Sequence, residues 1–276
     1  MQLGINGATT LTANLPTDIA VAGQAGFDFV ELWAGKLWDY LSVGGLAGLR
    51  RDLKRARVRP LTINSVEHIT FNDPSGRIRK LEEFRRLCHL AEAIGCETVL
   101  VVPGPRPPRA NGRMVHAETI RVLRELSTIA GKSHIRLALE FLGFADCSVN
   151  TLADCAAIVS AVNRSNVGLV LDTFHFYAGG STVKSIADVA PPQIFMVHLN
   201  DVEDVPRRWM HDALRLLPGK GALPLLPILS GLKALGYDGP FSVEIFRPAY
   251  WKRDPGQMAQ LARTAAEAVL EQAGYC

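Results

Sequence analysis

Eight short apolar runs recur along this chain at a mean interval of about 34 residues. They are Gln2–Asn6, Asp28–Trp33, Pro60–Val66, Glu97–Pro103, Ile135–Phe141, Val167–Asp172, Ile194–Asn200 and Phe241–Phe246. A strand–helix–strand unit needs roughly 30 residues or more, so each gap has room for one helix and little else. The runs are nearly continuous in apolar side chains rather than alternating. Strands of a parallel sheet covered on both faces have that texture.

Helical patterns fill the gaps. Thr17–Gly26, Gly45–Arg57, Arg77–Gly95, His116–Gly131, Leu152–Val162, Leu225–Leu235 and Gln257–Gln272 carry apolar residues at three- and four-residue steps. Thr17 is the expected N-cap of the first. Gly26, Gly95, Gly131 and Gly236 stand where a left-handed residue ends a helix. The stretch after the sixth run is weak: Gly179–Gly180 and Pro191–Pro192 leave space for a short helix only. Eight strand–helix pairs predict an α/β protein, one (β/α)8 TIM barrel domain spanning residues 1–276. An open doubly wound sheet is the alternative, disfavoured by the even spacing.

Composition narrows the function classes. Hydrophobic residues make up 48% of the chain, enough for a large core. Thirty Lys and Arg against 27 Asp and Glu give a net charge of +3, too even for a nucleic-acid or membrane footprint. The strongly apolar runs are about five residues long, against the ~20 that a membrane span needs. Five cysteines (Cys88, Cys96, Cys147, Cys155 and Cys276) form no CxxC pair, and no basic-then-apolar leader opens the chain. A reduced, cytoplasmic protein is expected; nothing in the sequence gives its oligomeric state.

The chemistry of a TIM barrel sits at the carboxyl ends of its strands. Here the fifth run reaches Glu140, the sixth Asp172, the seventh His198 and the eighth Glu244. Three carboxylates crowded near a barrel axis repel one another and lose hydration. A divalent cation removes both penalties, and three carboxylates with one imidazole suit Zn²⁺, Mn²⁺, Co²⁺ or Mg²⁺. His175, three residues after Asp172, is a candidate donor to a ligand carboxylate or to substrate.

Several segments carry a resemblance. They are Leu139-Glu140-Phe141, Cys147-Ser-Val-Asn150-Thr151, Asn166-Val-Gly-Leu-Val-Leu-Asp172-Thr-Phe-His175, His198-Leu-Asn-Asp201, Arg215-Leu-Leu-Pro218-Gly-Lys-Gly221 and Val243-Glu244-Ile-Phe-Arg247. Together they resemble the xylose isomerase-like TIM barrel superfamily of sugar isomerases and epimerases. Within it they most resemble the bacterial inosose (2-keto-myo-inositol) isomerases of inositol catabolism. The resemblance spans the chain and is dense from about residue 135 onward. It implies that Glu140, Asp172, His198 and Glu244 bind one divalent metal, and that Glu140 and Glu244 carry the proton. Which glutamate is the base stays open. Two positions depart from the pattern: Gly7 stands where an acidic residue is implied, and Lys220 replaces a Glu or Gln.

Moving a carbonyl to the next carbon requires a proton taken from one carbon and returned to its neighbour. A cation chelated by the carbonyl and adjacent hydroxyl stabilises the enediolate between, and a carboxylate shuttles the proton. The expected partner is therefore a small keto-polyol or ketose. A ketose 3-epimerase, a hydroxypyruvate isomerase or an inosose dehydratase shares the first step and remains an alternative. Candidate substrate contacts are His175, Arg215 and Arg247, with Glu31 and Asn6 at strand ends. Asn64 ends the third strand, and Trp33 and Trp209 offer rings to stack on a sugar. The segment Asp201–Leu223 is long enough to act as a lid. A repair nuclease like endonuclease IV ranks lower, because Val101-Val-Pro103 lacks a histidine and His211-Asp212 has the wrong order for further metals. A non-catalytic sugar-binding barrel is the remaining rival.

Overall fold

The computed structural model describes residues 1–275. Its eight barrel strands are Gln2–Asn6, Phe29–Trp33, Arg59–Val66, Thr98–Val101, Arg136–Glu140, Val167–Asp172, Ile194–Leu199 and Pro240–Val243. All pair in parallel, and the first closes against the eighth through the register Gln2↔Pro240 to Ile5↔Val243. A closed ring removes the open edges that a doubly wound sheet would leave. The fold is the expected (β/α)8 barrel.

The lower interior is filled by Phe29, Leu61, Leu100, Val102, Ala138, Val170, Phe195 and Met196. Two glycines make room for the large rings. A Cβ on Gly4 would stand 2.1 Å from the Phe29 ring, and one on Gly168 would stand 2.6 Å from the Phe195 ring. A second, larger apolar layer packs the outer helices onto the strands, including Ile19, Leu53, Phe84, Leu123, Ile158 and Leu229. The plugged base and the sealed flanks leave the strand carboxyl ends as the open face.

The helices differ from expectation mainly at their starts. The first spans Leu15–Ala25, and its N-cap is Asn14, not Thr17; the Asn14 side chain accepts from the Thr17 N–H. Pro16 in the first turn is the residue that moves the start upstream. Likewise Asp73 caps Pro74–Ile94 and Asn111 caps Gly112–Lys132. Gly131 lies inside that last helix, and His134 takes the left-handed conformation (φ 56°) beyond it. An additional helix, Ala34–Val43, follows the second strand. Short helices Thr173–Ala178 and Val183–Ile186 occupy the weak stretch. No helix among the described residues is long and apolar enough to cross a membrane.

The segment after the seventh strand is folded rather than free. Asp201–Val202 pairs antiparallel with Arg215–Leu216. The buried Asp201 carboxylate accepts from the backbone N–H groups of Val202, Gly221 and Leu223, each at 2.9 Å. This collar carries Arg215 over the strand ends. Lys220 lies exposed on its outer side.

Candidate metal centre

The strand ends deliver their polar side chains to one place. Glu140 and Asp172 are the last residues of the fifth and sixth strands, His198 lies one before the end of the seventh, and Glu244 directly follows the eighth. Asp172 and His198 face each other in the strand register. One ligand atom from each of the four lies within 4.8 Å of the others, and all four residues are buried.

The imidazole has two distinct sides. His198 Nδ1 faces Glu140 at 2.9 Å, Glu244 at 3.2 Å and Asp172 at 3.9 Å. Its Nε2 faces Glu31 at 3.1 Å. A neutral ring that donates Nε2–H to Glu31 turns its Nδ1 lone pair toward the three carboxylates. That is the carboxylate–histidine arrangement typical of metal sites. Glu31 is fully buried and also accepts from Asn6 Nδ2 at 3.2 Å.

Each carboxylate is tied down by donors. Glu244 Oε1 accepts from Asn6 (3.0 Å) and Asn64 (2.9 Å), and Arg215 approaches its Oε2 at 3.3 Å. Asp172 accepts from the His175 backbone N–H (2.7 Å), Asn200 Nδ2 (2.7 Å) and Arg215 Nη1 (2.6 Å). Glu140 is the least engaged, with one side-chain hydrogen bond among the described residues, to His198. Arg215 is wholly buried, its guanidinium 4.7 Å from the Phe174 ring and 5.3 Å from that of Phe246. Cation–π contact helps to hold it there.

The electrostatics show what the cluster lacks. Burial pushes the Glu140 carboxyl up to about 8; His198 opposes the shift, while Glu244 and Asp172 reinforce it. Burial disfavours a charged His198, yet Glu244, Glu31 and Glu140 hold its proton well above the ordinary histidine range. Burial also opposes the charge on Asp172, but Arg215, His175 and His198 outweigh it and bring the group down to about 2. Four carboxylates (Glu31, Glu140, Asp172 and Glu244) thus share one permanent cation, Arg215. Uptake of protons by His198 and Glu140 is the cluster's way of offsetting the excess. Three oxygen donors and one imidazole nitrogen, already converged and carrying surplus negative charge, fit a divalent ion.

Above the cluster is a cavity of about 270 Å³. Its walls are Trp33, Asn64, Ser65, Glu67, Val102, Glu140, Leu142, Phe144, His175, Asp212, Arg215, Glu244 and Phe246. A larger open groove of about 1010 Å³ runs over outer helices beside Trp38 and Arg86, but holds none of the cluster. His175 lines the cavity as a neutral ring, because burial pulls it down to about 4. Its Nδ1 lies 3.1 Å from the Gly143 N–H and its Nε2 lies 3.0 Å from Arg215. A neutral imidazole has one lone pair, so these two donors compete for it.

Of the sequence-stated substrate contacts, the structure brings His175 and Arg215 to the cavity, with Asn64 and Trp33. It does not bring the other four. Asn6 and Glu31 are fully buried behind the cluster, where they support Glu244 and His198. Arg247 is drawn away by Glu203 (2.6 Å) and lies over Tyr250. Trp209 is 62% exposed on the collar, with Arg208 over its ring. The sequence reading missed Glu67, Phe144 and Asp212, which follow strands in loops with no periodicity to mark them. It also missed the buried pair Lys36–Asp18 (2.6 Å) beside the first strand's loop. Lys36 donates to the Gly7 and Thr10 carbonyls, and a Cβ on Gly7 would stand 3.0 Å from the Asp18 carboxylate. An acidic residue at position 7 would meet that buried charge, which explains the glycine.

Comparison with known proteins gives the same picture. The model of the xylose isomerase-like TIM barrel family matches residues 19–270. The inosose isomerase of Bacillus subtilis strain 168 is 35% identical over 265 residues, covering 95% of each chain. The 3-dehydroshikimate dehydratase of Pseudomonas aeruginosa is 29% identical over 87% of this chain but 37% of its own length. The crystal structure of the IolI protein with a bound zinc atom superposes with a TM-score of 0.97, at 34% identity over 100% of both chains.

Proposed function

The chain belongs to the xylose isomerase-like TIM barrel family, and on that premise we propose that it isomerises a keto-polyol of the inosose (2-keto-myo-inositol) type, using a divalent metal held by Glu140, Asp172, His198 and Glu244. One observation carries this reading: the four side chains converge within 4.8 Å at the barrel mouth. Relatives named inosose isomerase, at 35% identity over nearly full length, supply the substrate type.

When bound, a divalent cation polarises a carbonyl oxygen as a Lewis acid and stabilises the negative charge that develops beside it. Glu140 is the group we assign to take and return the proton, since its second oxygen accepts no hydrogen bond among the described residues and it lines the cavity. Glu244, fixed by two asparagines and Arg215, orients the opposite side. Trp33, Phe144 and Phe246 offer apolar faces to the C–H side of a ring, and Val102 and Leu142 keep water from the reacting carbons.

The test is proton NMR of 2-keto-myo-inositol with the protein in D₂O, with zinc or magnesium and again with EDTA. Metal-dependent appearance of a rearranged inosose is the expected result. An unsaturated diketone would instead assign dehydration. No change with metal bound would refute the inosose reading and turn attention to ketohexoses and hydroxypyruvate.

A further inference from the structure

The cavity wall carries a carboxylate that the chemistry above does not use. Glu67 lies just past the third strand, lines the cavity and is 52% exposed at its rim. Its backbone surroundings are fixed: the Val102 N–H donates to the Val66 carbonyl (3.0 Å), and the Ile69 N–H donates to the Val102 carbonyl (3.1 Å). The side chain itself makes no hydrogen bond among the described residues. Its nearest ionic neighbour is the exposed His68, at 3.9 Å. A half-exposed carboxylate on a hydrogen-bonded stretch of backbone, lining the cavity and without a side-chain hydrogen bond among the described residues, is placed to accept from a ligand.

The charges around it point to the ligand's chemistry. Acidic wall residues are Glu67, Glu140, Asp212 and Glu244, and the basic one is Arg215. Arg215 is spent on Asp172, Glu244, Asp212 and His175, at 2.6–3.3 Å. No lysine lines the cavity. A substrate carboxylate or phosphate against this wall would find no uncommitted cation among the residues lining the cavity and would meet Glu67.

We propose that Glu67 is a specificity-determining residue, which accepts hydrogen bonds from hydroxyls on the part of the substrate remote from the metal cluster and rejects anionic substituents there. This rests on the keto-polyol reading of the same cavity. It separates neutral cyclic polyols from carboxylated relatives of the same ring size.

The experiment measures binding of myo-inositol and quinate, a carboxylated cyclohexane polyol, to zinc-loaded wild-type protein, Glu67→Gln and Glu67→Arg by calorimetry, beside turnover of 2-keto-myo-inositol. Wild type favours inositol. Glu67→Gln weakens inositol binding about threefold to tenfold, the loss of a half-exposed charged acceptor, and narrows the preference. Glu67→Arg narrows it further, toward quinate, and the effect shrinks as salt is raised. All three proteins keep the same melting temperature within a few degrees. Affinities for both probes that stay within about twofold across the variants overturn the inference, as does a wild type that binds neither probe. If the preference follows Glu67 while wild type leaves 2-keto-myo-inositol unchanged, the isomerase reading fails and the role of Glu67 stands.

Discussion

Replacing Arg215 by Met tests whether one buried cation keeps the carboxylate cluster folded. Methionine keeps the apolar stem but ends short of the guanidinium carbon that stacks on Phe174 and Phe246, so the perturbation removes the charge, its donors and that ring contact. In wild type, Arg215 approaches Asp172 at 2.6 Å and Glu244 at 3.3 Å, with no solvent exposure. Removing one member of a buried ion pair costs about 3–5 kcal/mol, because the partner stays buried and unpaired. The Asp172 value gives a similar scale: a carboxyl brought from 3.8 to about 2 corresponds to about 2–3 kcal/mol, of which Arg215 is the largest favourable cause. That stability is present above pH 3.8 and is lost as pH falls toward about 2, so the variant's deficit is largest near neutrality and small in acid. At roughly 2–4 °C per kcal/mol for a chain of this size class, Arg215→Met melts about 10 °C lower in EDTA. Added zinc places positive charge among the same carboxylates and recovers part of the loss. Calorimetry at pH 7 in EDTA and in zinc is the assay. A drop of less than about 3 °C in EDTA, or an equal drop with and without zinc, refutes the reasoning.

Three further outcomes follow from the same structure. Glu31→Gln leaves the cavity walls intact but removes the charge behind His198 Nε2; metal affinity falls about 10- to 100-fold in a chelator competition, and an unchanged affinity would mean that Glu31 does not act through the imidazole. Asp18 is raised by burial to about 6, against the lowering effect of Lys36. Because the folded value lies above 3.8, its share of stability is full below that pH and lost as pH rises through about 6. Measured by urea unfolding, the deficit of Asp18→Asn relative to wild type therefore shrinks between pH 4.5 and 7.5; a deficit that grows would reverse the sign. Gly168→Ala places a methyl 2.6 Å from the Phe195 ring and 2.7 Å from the Gln193 carbonyl, and overpacking of that kind costs about 1–3 kcal/mol. A variant with an unchanged melting temperature would show that the barrel base has slack.

The residues that proved legible in sequence are those with a period behind them. Eight apolar runs at even spacing fix the barrel, and a polar residue ending each of the last four must come to one face, because parallel strands point the same way. Glu140, Asp172, His198 and Glu244 could be placed by that argument alone. Asn6 ends the first strand, and Glu31, expected at the end of the second, stands at its middle; the same logic put both at the mouth. What it could not give is depth. A side chain near a strand end can face the cavity or tuck behind its neighbour, and the choice depends on the register between strands, in which Asn6 on the first pairs with Glu31 on the second. There the two form a supporting layer to His198 and Glu244 instead of a substrate wall. Arg247 and Trp209 were misplaced for a different reason: Arg247 is held by a long-range ion pair with Glu203, and Trp209 lies in the short turn Arg207–Trp209 with the neighbouring Arg208 over its ring. Arg215 lies in the same long excursion, yet it reaches the site because its short strand pairs with Asp201–Val202 and the Asp201 carboxylate binds three backbone N–H groups, folding the collar back over the strand ends. The cation that stabilises the cluster is thus delivered by a carboxylate 14 residues earlier in the chain. Asp201 belongs to the site's construction although it touches none of the four converging side chains.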